Sequence, residues 1–136
     1  MFSTPDLKDK YQKKVFQGFE SMKSFGNRDS FFGQIKTVTC HDDNSKVKEI
    51  LGTNGRGKVL VINSNLITHA AMIGDEIAQK AIDNEWNGIF VAGYVRDVEL
   101  LKQMDLGILA LGSTTTKTNK NNKGLLGEDV IFGGVI

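Results

Sequence analysis

Two short polar pairs in the chain combine residue types that could do chemistry together. Gly74-Asp75 precedes residues 76–95, and Arg96-Asp97 follows them. An Arg guanidinium can hold a carboxylate or a developing enolate, and an adjacent Asp offers hard oxygen ligands to a divalent cation. Together the two pairs would suit a metal-assisted site for a 2-oxo acid. In the simpler alternative, Arg96 and Asp97 only cap the next helix or form a surface ion pair.

The residues between the two pairs predict one helix followed by one strand. Apolar residues recur at steps of three and four after Asp75, at Ile77, Ala78, Ala81, Ile82 and Trp86. The uncharged run 89–95 predicts a strand that is buried on both faces. Arg96 and Asp97 would then lie at the carboxyl end of this strand, where open α/β sheets bind ligands. A helix N-terminus nearby would offer free N–H groups to an anion such as a small carboxylate.

Further motifs stand in order along the chain from Phe31 onward. They are Phe32-Gly33-Gln34-Ile35-Lys36-Thr37-Val38-Thr39-Cys40, Asp43-Asn44, Gly55-Arg56-Gly57-Lys58-Val59-Leu60-Val61, Gly74-Asp75-Glu76-Ile77-Ala78, Asn84-Glu85-Trp86-Asn87-Gly88, Gly93-Tyr94-Val95-Arg96-Asp97 and Asp105-Leu106-Gly107-Ile108. In these motifs the chain resembles the family that contains the regulator of ribonuclease activity A and the class II 4-hydroxy-4-methyl-2-oxoglutarate aldolases. Because several motifs agree in order, the resemblance is more specific than any one of them.

The resemblance implies a divalent-metal-dependent aldolase, a lyase that cleaves 4-hydroxy-2-oxo acids to pyruvate and a second carbonyl compound. Oxaloacetate decarboxylation would be a side activity. Asp97 would bind Mg²⁺ or Mn²⁺ directly, and Asp75 would touch the metal through water. Arg96 would hold the pyruvate carboxylate and the enolate oxygen. Backbone amides from Gly74 through Glu76 to Ile77 would grip the substrate carboxylate.

The same resemblance carries a second functional hypothesis. Some members of the family are non-catalytic regulators that bind and inhibit ribonuclease E, and these lack the metal-binding Asp after the Arg. Since this chain has Asp97 in that place and Asp75 at the other end of the spacing, the motif favours the catalytic branch. Regulation of ribonuclease E stays open as the alternative.

The resemblance also predicts the fold and the assembly. We expect a single α/β domain with a layered β/β/α swivelling-type fold and a mixed central sheet, assembled as a trimer or a dimer of trimers. Residues 1–30 would form a peripheral N-terminal helix and linker, and 31–136 the α/β domain. Family members continue beyond the segment matching 132–135, and some supply an acidic residue from that region to a neighbouring subunit's site. No residue here is assigned that role.

Composition narrows the class of protein without choosing its function. With 136 residues, 40% of them hydrophobic, the chain is long enough for one domain with one core. A formal net charge of +1 argues against a strongly electrostatic nucleic-acid binder. The single Cys40 cannot form an internal disulfide and is expected in a strand. Residues 1–6 do not resemble a signal peptide and no apolar run is long enough to span a bilayer, so we expect a cytoplasmic protein.

Apolar spacing and chain-breaking residues predict the other elements. These are a helix over 5–24, a strand near 33–40, a helix over 45–51, a strand over 59–62, a connection from 66 to 73, a short helix after Asp97, a strand over 107–111 and a final strand over 130–136. The polar stretch 113–124 predicts a solvated loop or an exposed edge. The alternative is that its Lys117, Lys120 and Lys123 contact an acidic partner or RNA.

Two other polar clusters are given structural rather than chemical roles. Residues 52–58 match the first part of a phosphate-binding loop, but Val59 replaces the Ser or Thr that would help to hold Mg²⁺, and a strand follows. We therefore expect a tight turn with glycine at positive φ. His41 lies beside Asp42 and Asp43, and capping or surface roles are favoured over a metal cluster. His69, in an apolar stretch, is expected to be structural.

Overall fold

A computed structural model describes residues 3–14, 21–64, 70–118 and 124–131. Its helices are α1 (Thr4–Lys10), α2 (Ser45–Leu51), α3 (Asp75–Asp83) and α4 (Val98–Leu101). Its strands are β1 (Lys23–Ser24), β2 (Gln34–Thr39), β3 (Lys58–Asn63), β4 (Ala71–Ile73), β5 (Gly88–Val95), β6 (Gly107–Ser113) and β7 (Leu125–Leu126). The predicted helix and strand on either side of Asn87 are thus both present.

The strands form one mixed sheet in the order β1-β6-β5-β3-β2-β7, with β4 placed beside β5. Neighbouring strands from β2 to β6 run parallel, whereas the edge strands β1 and β7 pair antiparallel. From β2 through β3 and β5 to β6 the chain steps in one direction across the sheet, so the usual right-handed crossovers would place α2, α3 and α4 on the same face. In agreement, α3 contacts both α2 and α4. The predicted α/β domain with a mixed central sheet is confirmed.

The core lies between the parallel strands and the three helices that cover them. It contains apolar side chains of the central strands and of the inner faces of α2 and α3, among them Leu60, Ile62, Ile89, Val91, Ile108, Val47, Leu51, Ala78 and Ala81. Six of the eight residues of β5 are buried, but Phe90 and Tyr94, which share one face, are only half-buried, so the prediction of a strand buried on both faces is met on one face only. This packing anchors the strand that leads into Arg96.

Trp86 corrects the predicted length of the central helix. The helix ends at Asp83, and Glu85 takes a φ of 65°, which breaks the helical path. Trp86 instead pairs with Arg56, and its ring leaves no room for a side chain at Gly55. The indole Nε1 donates a hydrogen bond to Thr53 O at 3.1 Å. Helical spacing correctly predicted that Trp86 is buried, but Trp86 lies in the turn after α3 and not in the helix.

The turn before β3 agrees with its prediction. Gly57 has a φ of 74°, and Lys58 N donates to Gly55 O at 2.9 Å. Lys58 then begins a strand rather than a helix, as expected for a turn that does not bind phosphate. The glycines of this segment therefore serve chain reversal.

The single helix predicted over 5–24 is wrong. α1 ends at Lys10 and has no buried residue, while Lys23–Ser24 pairs with β6. Phe25 N donates to Ile108 O at 2.8 Å and extends this pairing. Because the contacts are made with a strand far along the chain, local spacing could not reveal them. Where the α/β domain begins, and whether residues 1–30 stand apart from it, stays a prediction.

Other predicted elements are only partly testable. Ala71–Ile73 forms a short strand inside the stretch predicted as a connection, whereas residues 65–69, including His69, lie outside the described residues. Residues 132–136 of the predicted final strand also lie outside them, and the described residues 130 and 131 are not in a strand. Among the described residues, no helix is both long and apolar enough to cross a membrane.

Cys40 directly follows β2 and is buried, in agreement with a structural rather than a reactive thiol. Its backbone N–H donates to Asn63 O at 2.9 Å, and its Sγ lies 3.4 Å from Met72 Sδ. Burial, together with the nearby charge of Asp43, raises the pKa of the Cys40 thiol to about 12. A thiolate is therefore disfavoured in the folded protein.

This raised pKa predicts a loss of stability at alkaline pH. The contribution is complete below the ordinary thiol pKa of 9.0 and disappears as pH rises through the folded value of about 12. We expect the free energy of unfolding of the wild type, measured in urea, to fall relative to that of Cys40→Ala between these limits. Parallel curves for the two proteins would contradict the prediction.

Candidate active site

The strand β5 changes partner near its carboxyl end, and this change creates the site. Residues 88–92 pair with β3, whereas Tyr94 and Val95 pair with β4. Between them, Gly93 leaves room for Ser64, whose Oγ donates to Ala92 O at 2.8 Å. β4 therefore occupies the place beside β5 that β3 has left.

β4 and β5 end together, which brings the two polar pairs side by side. Arg96 N donates to Ile73 O at 2.9 Å, so the residues that follow each strand are neighbours. Gly74 then becomes the N-cap of α3, and Asp75 its first residue. Arg96 and Asp97 thus lie at the carboxyl end of β5, with the N-terminus of α3 nearby, as predicted.

The Asp97 side chain joins the two pairs directly. Its Oδ2 accepts a hydrogen bond from Asp75 N at 3.2 Å, at the positive end of α3. Its backbone is left-handed, with φ 57° and ψ 40°, a conformation that costs a residue with a side chain about 1 kcal/mol. Asp97 is also the N-cap of α4, but its side chain makes no capping hydrogen bond there. The carboxylate is directed to α3 rather than to its own helix.

Arg96 lies beside this carboxylate. Its Nε is 3.6 Å from Asp97 Oδ2, and its Nη1 donates to Thr115 O at 3.5 Å. The ion pair of the simpler alternative therefore exists, but its side chains are only 28% and 29% exposed. Both also line a cavity, so the pair is more than a surface contact.

The cavity between the sheet edge and the starts of α2 and α3 has a volume of ≈ 130 Å³. Every residue that the sequence predicts for the site lines it: Gly74, Asp75, Glu76, Ile77, Arg96 and Asp97. Ala78 N makes the first hydrogen bond inside α3, to Gly74 O at 3.0 Å. The amides of Glu76 and Ile77 precede this bond and can bind an anion, whereas the amide of Asp75 already binds Asp97.

The rest of the cavity wall was not predicted to belong to the site. It is formed by Asn44, Lys48, Lys80, Lys117 and Thr118, together with Ala71. Asn44 is buried, and its Nδ2 donates to Met72 O at 3.1 Å. Its Oδ1 and the Thr118 Oγ1 are buried without a hydrogen-bond partner among the described residues. Buried polar atoms are nearly always paired, so these two are candidate contacts for a ligand.

Residues 115–118 lie beside β4, and 115–117 are exposed, in agreement with the predicted loop or exposed edge. Ala71 pairs with Lys117, and Ala71 N donates to Thr116 O at 2.8 Å. Thr118 is buried, although Lys117 itself is exposed. Backbone pairing to β4 therefore holds this polar segment, and only the burial of Thr118 was not predicted. Lys120 and Lys123 lie outside the described residues.

The acidic turn before α2 has a structural role, as expected. Asp43 is buried, and its Oδ1 accepts a hydrogen bond from Ser45 N at 2.8 Å at the start of the helix. No group of three His, Cys, Asp or Glu residues that could hold a metal occurs in the described part of the chain.

Comparisons with known proteins give one family match and several similar proteins. The RraA-like family model, described as Aldolase/RraA, matches residues 4–136. A Vibrio cholerae protein, provisionally named 4-hydroxy-4-methyl-2-oxoglutarate aldolase, is 47% identical over 121 residues, which cover 89% of this chain and 75% of the relative.

Two solved structures share the fold. One is described as the RNA-processing inhibitor RraA from Thermus thermophilus and is 34% identical, with a TM-score of 0.88. The alignment covers 93% of this chain and 76% of the Thermus chain. The other is described as S-adenosylmethionine:2-dimethylmenaquinone methyltransferase from Geobacillus kaustophilus. It is 32% identical, with a TM-score of 0.96, over 98% of this chain and 83% of its own.

Proposed function

Because the chain belongs to the RraA-like family of aldolases and RraA proteins, we propose that it is a divalent-metal-dependent aldolase. It would cleave 4-hydroxy-2-oxo acids, of the 4-hydroxy-4-methyl-2-oxoglutarate type, to pyruvate and a second carbonyl compound. The observation that supports this most is the hydrogen bond from Asp75 N to Asp97 Oδ2. It brings Gly74-Asp75 and Arg96-Asp97 together at the wall of one cavity.

The donor set suits a hard divalent cation. The hydrogen bond and the Arg96 contact of Asp97 both fall on Oδ2, and in the described part of the chain no donor contacts Oδ1. Asp97 would hold Mg²⁺ or Mn²⁺ directly and Asp75 through water, since both ions accept such sparse carboxylate ligation. When bound, the ion would supply positive charge that polarises the 2-oxo group of the substrate.

The protein's own groups would fix the substrate and stabilise developing charge. The amides of Glu76 and Ile77 would bind the carboxylate next to the 2-oxo group. Cleavage breaks the bond between C3 and C4, and its electron pair moves toward the 2-oxo oxygen as an enolate. Arg96 would hold this oxygen and the carboxylate by charge-assisted hydrogen bonds. Asp75 would orient the water that takes the proton from the 4-hydroxyl group, and a proton returned from water to C3 of the enolate would give pyruvate.

The same arrangement would support oxaloacetate decarboxylation. Loss of CO₂ from oxaloacetate also leaves an electron pair that moves toward the 2-oxo oxygen, so the enolate of pyruvate is formed again. Arg96 would stabilise it in the same way. We therefore expect pyruvate from both substrates.

Assembly and location belong to the same proposal. We infer a homo-oligomer, a trimer or a dimer of trimers, in the cytoplasm. Several large apolar side chains near the β2–β7 edge are exposed in the single chain, among them Phe32, Ile35, Leu125 and Leu126. Exposed apolar surface of this kind is typical of protein–protein contacts.

Regulation of ribonuclease E is the alternative function, and the site does not favour it. The Thermus structure is described as an RNA-processing inhibitor. In this chain, however, Asp97 stands after Arg96 and contacts α3 within a cavity. A regulator would bind the ribonuclease equally well with Arg96 or Asp97 replaced, whereas an aldolase needs both.

The assay that tests the proposal is pyruvate release from 4-hydroxy-4-methyl-2-oxoglutarate and from oxaloacetate, followed by reduction of the pyruvate with a coupled dehydrogenase. We expect release from both substrates in Mg²⁺ or Mn²⁺. Absence of release from a folded, oligomeric sample, together with tight binding of ribonuclease E, would replace the proposal by its alternative.

Gly74 offers a test that leaves the fold in place. A Cβ at this position would stand 2.7 Å from Asp97 Oδ2 and 3.4 Å from Arg96 Nε. Its φ of −128° and ψ of −168° suit alanine. In Gly74→Ala we therefore expect the Asp97 carboxylate to move, with a fall of at least about tenfold in kcat/KM. The free energy of unfolding should change by less than about 1 kcal/mol. Wild-type kcat/KM in a folded variant would contradict the role of the Asp97 position.

A further inference from the structure

α2 and α3 each present a lysine to the cavity one turn beyond a residue that already lines it. In α2, Lys48 follows the N-cap Asn44, and in α3 Lys80 follows Glu76. Residues four apart lie on one face of a helix, about 6 Å along its axis. Since the two helices contact each other, the lysines form a wall of the cavity one turn away from the first turn of α3.

Neither lysine has a carboxylate partner among the described residues. Lys46 and Lys102, in contrast, pair with Glu49 and Glu99 at 3.1 Å and 2.8 Å. The Lys80 side chain reaches across to α2, because a Cβ at Gly52 would stand 2.7 Å from its Cε. The Lys80 ammonium therefore lies near the C-cap of α2, and the two lysine side chains line the cavity from adjacent helices.

Two buried atoms indicate that the same cavity receives a polar ligand. Asn44 is 5% exposed, and its Nδ2 is committed to Met72 O, which leaves Oδ1 as an acceptor without a donor in the described part of the chain. Thr118 is 7% exposed, and its Oγ1 is likewise unpartnered there. A ligand hydroxyl could satisfy either atom. The cavity thus offers a carboxylate grip near Arg96, hydroxyl contacts, and three lysines, of which Lys48 and Lys80 come from the helices and Lys117 from the segment beside β4.

We propose that Lys48 and Lys80 bind a second carboxylate of the substrate. They would select 4-hydroxy-2-oxo acids that carry a distal carboxylate over monocarboxylates of the same length. The inference rests on the proposed function for the position of the 2-oxo acid group. It adds two specificity-determining residues one helical turn away from the first turn of α3 in that cavity.

The test is binding rather than turnover. In calorimetry with Mg²⁺ we compare 2-oxoglutarate with 2-oxopentanoate, which share the 2-oxo acid group and five carbons but differ in the distal carboxylate. The wild type is expected to bind 2-oxoglutarate at least about tenfold more tightly, the effect of one charge-assisted hydrogen bond. In the double variant Lys48→Met, Lys80→Met the two ligands should bind almost equally.

Control variants separate this effect from general damage. Lys46→Met changes a lysine of the same helix that pairs with Glu49 and does not line the cavity, so the preference should persist. Lys80 also packs against Gly52 at the end of α2, so its replacement would change a helix contact as well as the cavity. Lys48→Met is therefore measured alone as well. Because Lys48 is exposed, its loss should leave the fold intact and still reduce the preference.

Either of two results would overturn the proposal: equal binding of the two ligands by the wild type, or a preference that survives loss of both lysines. Failure of the proposed function is distinguishable from these results. A protein that prefers 2-oxoglutarate through the lysines but releases no pyruvate keeps the carboxylate site and loses the aldolase assignment.

Discussion

Replacement of Asp97 by Ala is expected to reduce kcat/KM for pyruvate release at least about 100-fold, and to weaken binding of Mn²⁺. The carboxylate is the proposed direct ligand of the metal, and it also fixes the position of Arg96 through the contact at 3.6 Å. Asp97→Ala further removes the hydrogen bond to Asp75 N. The measurement is steady-state kinetics with 4-hydroxy-4-methyl-2-oxoglutarate at saturating Mg²⁺.

Two control variants make the Asp97 result specific. Asp97→Asn keeps a residue type that tolerates the left-handed backbone and can still accept from Asp75 N, but it removes the negative charge. It should lose nearly as much activity as Asp97→Ala. Asp83→Ala removes a carboxylate at the end of α3 that pairs with Gln79 and lies outside the cavity, so it should be close to wild type. Full activity in Asp97→Ala would defeat the assignment.

The second large effect is expected at Arg96. Arg96→Ala removes the group that would hold both the carboxylate and the enolate oxygen, so kcat/KM should fall about 100-fold or more. Arg96→Lys keeps the charge but loses the planar fork that can bind two oxygens at once. We expect it to recover only a minor part of the activity.

A surface arginine provides the comparison for Arg96. Arg56 is mostly exposed, and its Nε lies 3.8 Å from Glu85 Oε2. It does not line the cavity. Arg56→Ala should therefore keep wild-type kinetics. If Arg96→Lys were as active as the wild type, a point charge would suffice and the proposed two-oxygen grip would be wrong.

The part of the site that lies around Arg96 was predictable because its signals are local. The apolar spacing after Asp75 identifies α3, and the uncharged run before Arg96 identifies β5. A polar pair that directly follows a buried strand lies at the carboxyl end of that strand, where open α/β sheets bind ligands. The position of Gly74 at the start of the helix follows from the same pattern.

The remaining wall depends on contacts between distant parts of the chain. Asn44 lines the cavity because its amide binds Met72 O in β4, a strand of three residues that is too short to show a period. Thr118 is buried because its segment pairs with Ala71. Lys48 and Lys80 resemble solvated lysines in the sequence, and only the contact of α2 with α3 brings them to one cavity. β1 was missed for the same reason, since its partner is β6.

The most direct test of the central claim is the rate of pyruvate release from 4-hydroxy-4-methyl-2-oxoglutarate by the oligomeric protein in Mg²⁺, in excess chelator, and after Mg²⁺ is restored. The proposed site at Arg96 and Asp97 predicts activity that disappears with the chelator and returns with the metal. Release that persists in chelator, or no release under any of the three conditions, would contradict it.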